Sequence, residues 1–177
     1  MEKIIELINL NEGDELISVQ FTSGEDQILI GTAKGKCIKF YEGLNENGSY
    51  GLKPIGRDTQ GVKAMDLADD DYLIAMSVVK EGYDVLTITS NGYGKLSSIE
   101  DYRVQNRAGK GVKSGQYNDK TGSPVCLKFI APDEDVMMIS DTGIIMRTPA
   151  GEISKLGRDT QGVRLMRIDD SKVSTIA

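Results

Sequence analysis

The 177 residues include no histidine and no tryptophan, and 21 lysines and arginines stand against 27 aspartates and glutamates, a formal net charge of −6. Without histidine the chain lacks the commonest general base, the commonest zinc ligand and every Ser-His or Cys-His arrangement. No apolar run is long enough for a transmembrane helix, and Cys37 and Cys126 are too few for a disulfide framework and lack metal-site spacing.

In chain order, Met1-Glu2-Lys3-Ile4-Ile5-Glu6-Leu7 lacks the charge pattern and cleavage site of a signal peptide, so the chain reads as cytoplasmic. Leu7-Ile8-Asn9-Leu10 reads as the closing strand of a preceding unit. Leu16-Ile17-Ser18-Val19 reads as a first strand and Ile28-Leu29-Ile30 as a second, buried on both faces. Ala33-Lys34-Gly35 is a turn, and Lys36-Cys37-Ile38-Lys39-Phe40 is the return strand. Residues 42–50 form a polar insertion. Then comes the phrase Gly56-Arg57-Asp58-Thr59-Gln60-Gly61-Val62, with a last strand over 62–67.

The same order returns twice. The first strands are Leu73-Ile74-Ala75-Met76 and Val125-Cys126-Leu127; the second are Val85-Leu86-Thr87-Ile88 and Val136-Met137-Met138-Ile139. The turns are Ser90-Asn91-Gly92 and Asp141-Thr142-Gly143, and Asn-Gly is a strong hairpin signal because both residues tolerate positive φ. The return strands are Gly94-Lys95-Leu96-Ser97 and Ile144-Ile145-Met146-Arg147. The phrase recurs as Asn106-Arg107-Ala108-Gly109-Lys110-Gly111-Val112 and, letter for letter, at 157–163, with a strand over 163–168. Residues 171–176 match a further first strand. Helix is expected for no more than a turn or two, near 98–102. Four strands in each period of about 50 residues is the signature of propeller-type blades. The units span about 16–67, 73–117 and 125–168, with partial strands at 1–12 and 171–177. The two cysteines sit among apolar residues and read as buried free thiols.

Charge follows position in the repeat. Residues 35–63, 92–113 and 143–164 hold 14 basic and 7 acidic residues, a net of +7, and the remainder carries −13. Blade-spaced positive charge suits a duplex phosphate backbone. The other reading is that these are ordinary solvated faces, with Arg57, Arg107 and Arg158 structural. Gly109-Lys110-Gly111 has neither the spacing nor the Lys-Ser/Thr of a P-loop. No nucleophile motif or metal cluster points to catalysis.

Three stretches are telling together: Thr22-Ser23-Gly24-Glu25-Asp26, Ser90-Asn91-Gly92-Tyr93-Gly94-Lys95, and the two Gly-Arg-Asp-Thr-Gln-Gly-Val phrases. With them the chain resembles, over almost its whole length, the C-terminal domain of bacterial DNA gyrase A and its topoisomerase IV relative. The resemblance implies an all-β fold, a propeller-like β-pinwheel of four-stranded antiparallel blades that exchange strands, here about three blades in an open arc. It implies sequence-independent binding and bending of duplex DNA around a basic rim, in support of ATP-dependent negative supercoiling. This segment would itself be non-catalytic and without a cofactor, ATP and Mg2+ being used elsewhere in the parent. The implied partners are duplex DNA and the rest of the gyrase A and gyrase B polypeptides in an A2B2 enzyme, with no membrane, the fragment being a monomer or weak dimer. The family's hallmark box, Gln-Arg-Arg-Gly-Gly-Lys-Gly, has a degenerate counterpart in Gln105, Asn106, Arg107, Ala108, Gly109, Lys110 and Gly111, and the true box is expected upstream. Expected DNA contacts are Lys36, Lys39, Arg57, Lys63, Lys95, Arg103, Arg107, Lys110, Lys113, Arg147, Arg158 and Arg164. Two alternatives are a topoisomerase IV domain and a protein-interaction propeller using its acidic face.

Overall fold

The computed structural model describes residues 9–44, 48–56 and 59–177. Residues 1–8, part of the 42–50 insertion, and Arg57 with Asp58 lie outside them, and with them the start of the expected strand over 7–10 and the expected contact at Arg57. Eleven strands follow one another among the described residues: β1 (Gln27–Thr32), β2 (Lys36–Tyr41), β3 (Leu73–Val78), β4 (Asp84–Thr89), β5 (Tyr93–Ser97), β6 (Val112–Lys113), β7 (Pro124–Ile130), β8 (Asp135–Ser140), β9 (Ile145–Pro149), β10 (Val163–Arg164) and β11 (Val173–Ile176). They form three antiparallel sheets, ordered β3-β1-β2-β6, β10-β5-β4-β7 and β11-β8-β9.

Each sheet is built on one hairpin, β1–β2, β4–β5 or β8–β9. The turns close identically. The N–H groups of Gly35, Gly92 and Gly143 donate to the carbonyls of Thr32, Thr89 and Ser140, each at 3.0 Å. The three glycines have φ of 77°, 76° and 83°, a region costly for a residue with a Cβ. Asn91 does not share it, so the turn is one left-handed glycine after ordinary backbone rather than a two-residue Asn-Gly turn. The hydroxyls of Thr32, Thr89 and Ser140 accept the N–H of Lys36, Tyr93 and Ile144, which pins each return strand.

The sheets do not coincide with the sequence repeats. The first strand of each later repeat pairs with the preceding hairpin: β3 with β1, β7 with β4, β11 with β8. The phrase strand does the same on the other edge, β6 with β2 and β10 with β5. Three expectations are corrected. Leu16-Ile17-Ser18-Val19 forms no strand, and Val19 is 70% exposed. Residues 62–67 form none either, and the expected 163–168 strand shrinks to Val163–Arg164. A strand needs a partner for its N–H and C=O groups, and the described residues hold no hairpin ahead of the first repeat. The short helical turn appears at Ile99–Asp101, capped by Ser98, and a second lies at Ala150–Glu152.

Alternate residues face alternate neighbours. Leu29, Cys37, Val85, Tyr102 and Leu127 fill the space between the first and second sheets. Leu86, Ile88, Leu96, Val136, Met138 and Met166 fill that between the second and third. Both cysteines are buried free thiols, as expected, and burial pushes Cys37 up to about 12 and Cys126 up to about 11.

Candidate nucleic-acid interface

The strand-exchange seams bring expected basic residues together. Where β6 joins β2, Lys36 lies opposite Lys113. Both are exposed, and neither has an ion-pair partner among the described residues. Like charges directly opposite one another on a sheet are destabilising. Where β10 joins β5, Arg164 lies opposite Tyr93. Its Nη2 and Nε donate to the Tyr93 hydroxyl at 2.9 and 3.3 Å, and its guanidinium carbon sits 5.3 Å from the ring centroid. Lys120 Nζ is 5.7 Å from the same ring. The Arg164 hydrogen bond holds the Tyr93 phenol below its ordinary value. Lys63, Lys113 and Arg164 each follow a phrase valine, and all three are exposed.

The phrase glycines are what allow the seam. A Cβ on Gly111 would stand 2.4 Å from the Cys37 carbonyl oxygen, and one on Gly162 would stand 2.8 Å from that of Gly94. Both also have positive φ, 67° and 81°.

The phrase arginines serve the next link. Arg107 Nε donates to the Gly51 carbonyl at 2.6 Å and Nη1 to that of Lys63. Arg158 Nε donates to the Asp101 carbonyl at 3.0 Å and Nη1 to that of Lys113. Lys63 and Lys113 are equivalent positions, so each arginine ties its own phrase to the preceding one.

Two expected contacts lie inside. Lys95 is 2% exposed; its ammonium donates to the carbonyls of Gly157, Arg158 and Thr160 and to the Thr160 hydroxyl. Burial draws it down to about 8. Lys39 is 6% exposed and donates to the Ile99 carbonyl at 3.1 Å, and burial lowers it too. Both read as rim charge in the sequence; in the fold they brace the loops that follow the next hairpin.

The rest of those among the described residues are on the surface. Lys63 pairs with Asp66 at 2.5 Å, and Arg147 pairs with Asp135. Arg103 and Lys110 are exposed. In the box-like segment, Gln105 N–H donates to the Lys39 carbonyl, Ala108 N–H to that of Ala64, and the Gly109 carbonyl accepts from Asp66 N–H. Ala108 has φ of 65°. Sequence reasoning missed Lys120, Arg167 and Lys172, which line one recess with Tyr93 and Arg164. All three lie outside the phrase-centred segments, so counting charge there passed over them. Among the described residues no helix is long and apolar enough to cross a membrane.

A family described as DNA gyrase C-terminal domain, beta-propeller, matches residues 3–23, 48–80, 83–122 and 134–177. The DNA gyrase A polypeptide of Staphylococcus aureus strain MRSA252 is 40% identical over 173 residues, 96% of this chain and 19% of that protein. The same protein of strain NCTC 8325 / PS 47 gives the same figures. The chain thus spans about a fifth of the length of the curated relatives it matches. Among solved structures, a DNA gyrase A C-terminal domain superposes with a TM-score of 0.83 at 25% identity, covering 96% of this chain and 56% of the other. The C-terminal domain of a DNA topoisomerase IV reaches the same TM-score at 17% identity, covering 95% of this chain and 51% of the other, a likeness of fold. From the exchanged strands, the repeated phrase and these similarities together, the chain belongs to the DNA gyrase C-terminal domain family.

Proposed function

We propose that this chain binds duplex DNA through its phosphate backbone and bends it along successive strand-exchange seams, serving supercoiling by a parent gyrase. The observation that carries the reading is the Lys36–Lys113 pair, two exposed lysines held opposite each other with no acid between them. Their repulsion is a cost in the free protein that a phosphate between them would relieve. The arginine ties add to this reading: they hold adjacent blades at a fixed spacing, so that charges at equivalent positions follow one another along a path. No contact is read as base-specific, so one affinity is expected for all sequences of equal length. The DNA-cleaving and ATP-hydrolysing steps belong in this reading to the rest of the parent, and the partners are duplex DNA and the remaining gyrase polypeptides.

The test is binding to duplexes of increasing length at several salt concentrations. Affinity should rise with length and then level off. Lys36→Gln and Lys113→Gln should each flatten the slope of log affinity against log salt by about 0.9. Unchanged slopes in both variants would overturn the assignment of this seam.

A further inference from the structure

Beside the box-like segment lies a groove of about 750 Å³ whose lining includes Tyr41, Tyr50, Arg103, Gln105, Asn106 and Arg107. Among the described residues no aspartate or glutamate lines it. The two tyrosines are exposed, Tyr50 by 54%. Arg103 makes no ion pair among the described residues, and Arg107 is braced on the carbonyls of Gly51 and Lys63.

We propose that this groove binds an unpaired nucleotide segment, a single strand of DNA or RNA. Flat aromatic faces, arginines and an absence of acids are the features that hold single strands, with bases stacked on rings and phosphates on cations. The exposed amide of Asn106 matches the mixed donors and acceptors of a base edge. An acidic peptide would use the arginines but leave the exposed rings without a role. The inference goes beyond the duplex reading, which rests on the Lys36–Lys113 seam and not on this groove.

The experiment is fluorescence anisotropy of fluorescein-labelled dT10 and rU10 with the whole chain and with the Tyr50→Ala and Arg103→Gln variants. Circular dichroism checks folding, and Lys80→Gln, an exposed residue outside the groove lining, serves as the control. Binding of either oligonucleotide, weakened about tenfold by each groove variant and unchanged by the control, supports the proposal. The two arms show whether the strand is DNA or RNA. Duplex affinity should stay unchanged in Tyr50→Ala, which separates this site from the seam. Three results would overturn it: no binding of either oligonucleotide, binding indifferent to both groove variants, or displacement by polyglutamate that depends equally on Tyr50.

Discussion

Lys95→Met isolates the buried ammonium from everything else in its repeat. The substitution keeps the length and apolar stem of the side chain and removes the donor. Three carbonyls and one hydroxyl of the phrase loop then lose this donor: Gly157 O at 3.1 Å, Thr160 O at 2.9 Å, Thr160 Oγ1 at 3.2 Å and Arg158 O; Gly157 O keeps the Thr160 hydroxyl and Thr160 O keeps the Gln116 N–H. Hydrogen bonds to a charged donor are worth about 1.5–3 kcal/mol each, but the bonds to one ammonium do not add, and desolvating that ammonium offsets part of the gain. That offset is visible in the Lys95 ammonium, which burial draws down to about 8. The net loss should be about 2–3 kcal/mol, a fall in Tm of about 4–12 °C for a domain of this size. Urea denaturation followed by far-ultraviolet circular dichroism reads the global loss. Hydrogen exchange at Leu165 and Met166, whose N–H groups donate to the Gly92 carbonyl, reads loosening of the seam itself. Counting from the turn glycines, the residue equivalent to Lys95 in the first hairpin is Ile38, which lies beneath Gly109 of the second phrase, a Cβ there standing 3.7 Å from Ile38 Cδ1. Lys95→Ile should therefore be as damaging as Lys95→Met, and should recover when residues 157–160 are changed to Asn-Arg-Ala-Gly. A Lys95→Met variant within about 0.5 kcal/mol of the unsubstituted chain, with unchanged exchange at Leu165 and Met166, would refute the reasoning.

Ala108→Gly should stabilise the chain by about 0.5–1 kcal/mol, because a Cβ at positive φ costs about 1–2 kcal/mol and the entropy of glycine in the unfolded chain returns part of it; a destabilised variant in denaturant titration would contradict this. Asp141 accepts hydrogen bonds from the Ser171 hydroxyl and the Lys172 N–H, which hold its carboxyl below the ordinary aspartate range. Its stabilising contribution is therefore complete above the unfolded value near 4 and is lost as pH falls through the lower folded value. Asp141→Asn should flatten the decline of Tm below about pH 4, and parallel profiles would contradict this. Tyr93 should ionise before the buried Tyr117, which burial pushes up to about 12, when phenolate absorbance is followed on raising the pH. Arg164→Gln should bring the Tyr93 step up, and no movement would show that the hydrogen bond does not set it.

Some of this was legible because it is local. A left-handed turn asks for glycine whatever surrounds it, so Gly35, Gly92 and Gly143 marked three hairpins. The capped turn after Ser98 and the burial of Cys37 and Cys126 were legible for the same reason: each follows from a residue and its immediate neighbours. The phrase arginines stood in register on the page, but their partners, the carbonyls of Gly51, Lys63, Asp101 and Lys113, did not. A backbone carbonyl is present at every position and leaves no mark in a sequence.

The sequence by itself determined that the chain is all β, that it repeats three times, and that basic charge gathers around the turns and phrases. These depend on composition and spacing. Only the tertiary structure decided which hairpin each strand would join, because a strand's pattern records that one face is buried but not against what. That choice placed Lys113 opposite Lys36 and Arg164 opposite Tyr93. It also separated lysines that composition treats alike: Lys36 and Lys113 stayed in solvent, while Lys39 and Lys95 were covered by loops whose carbonyls took up their charge.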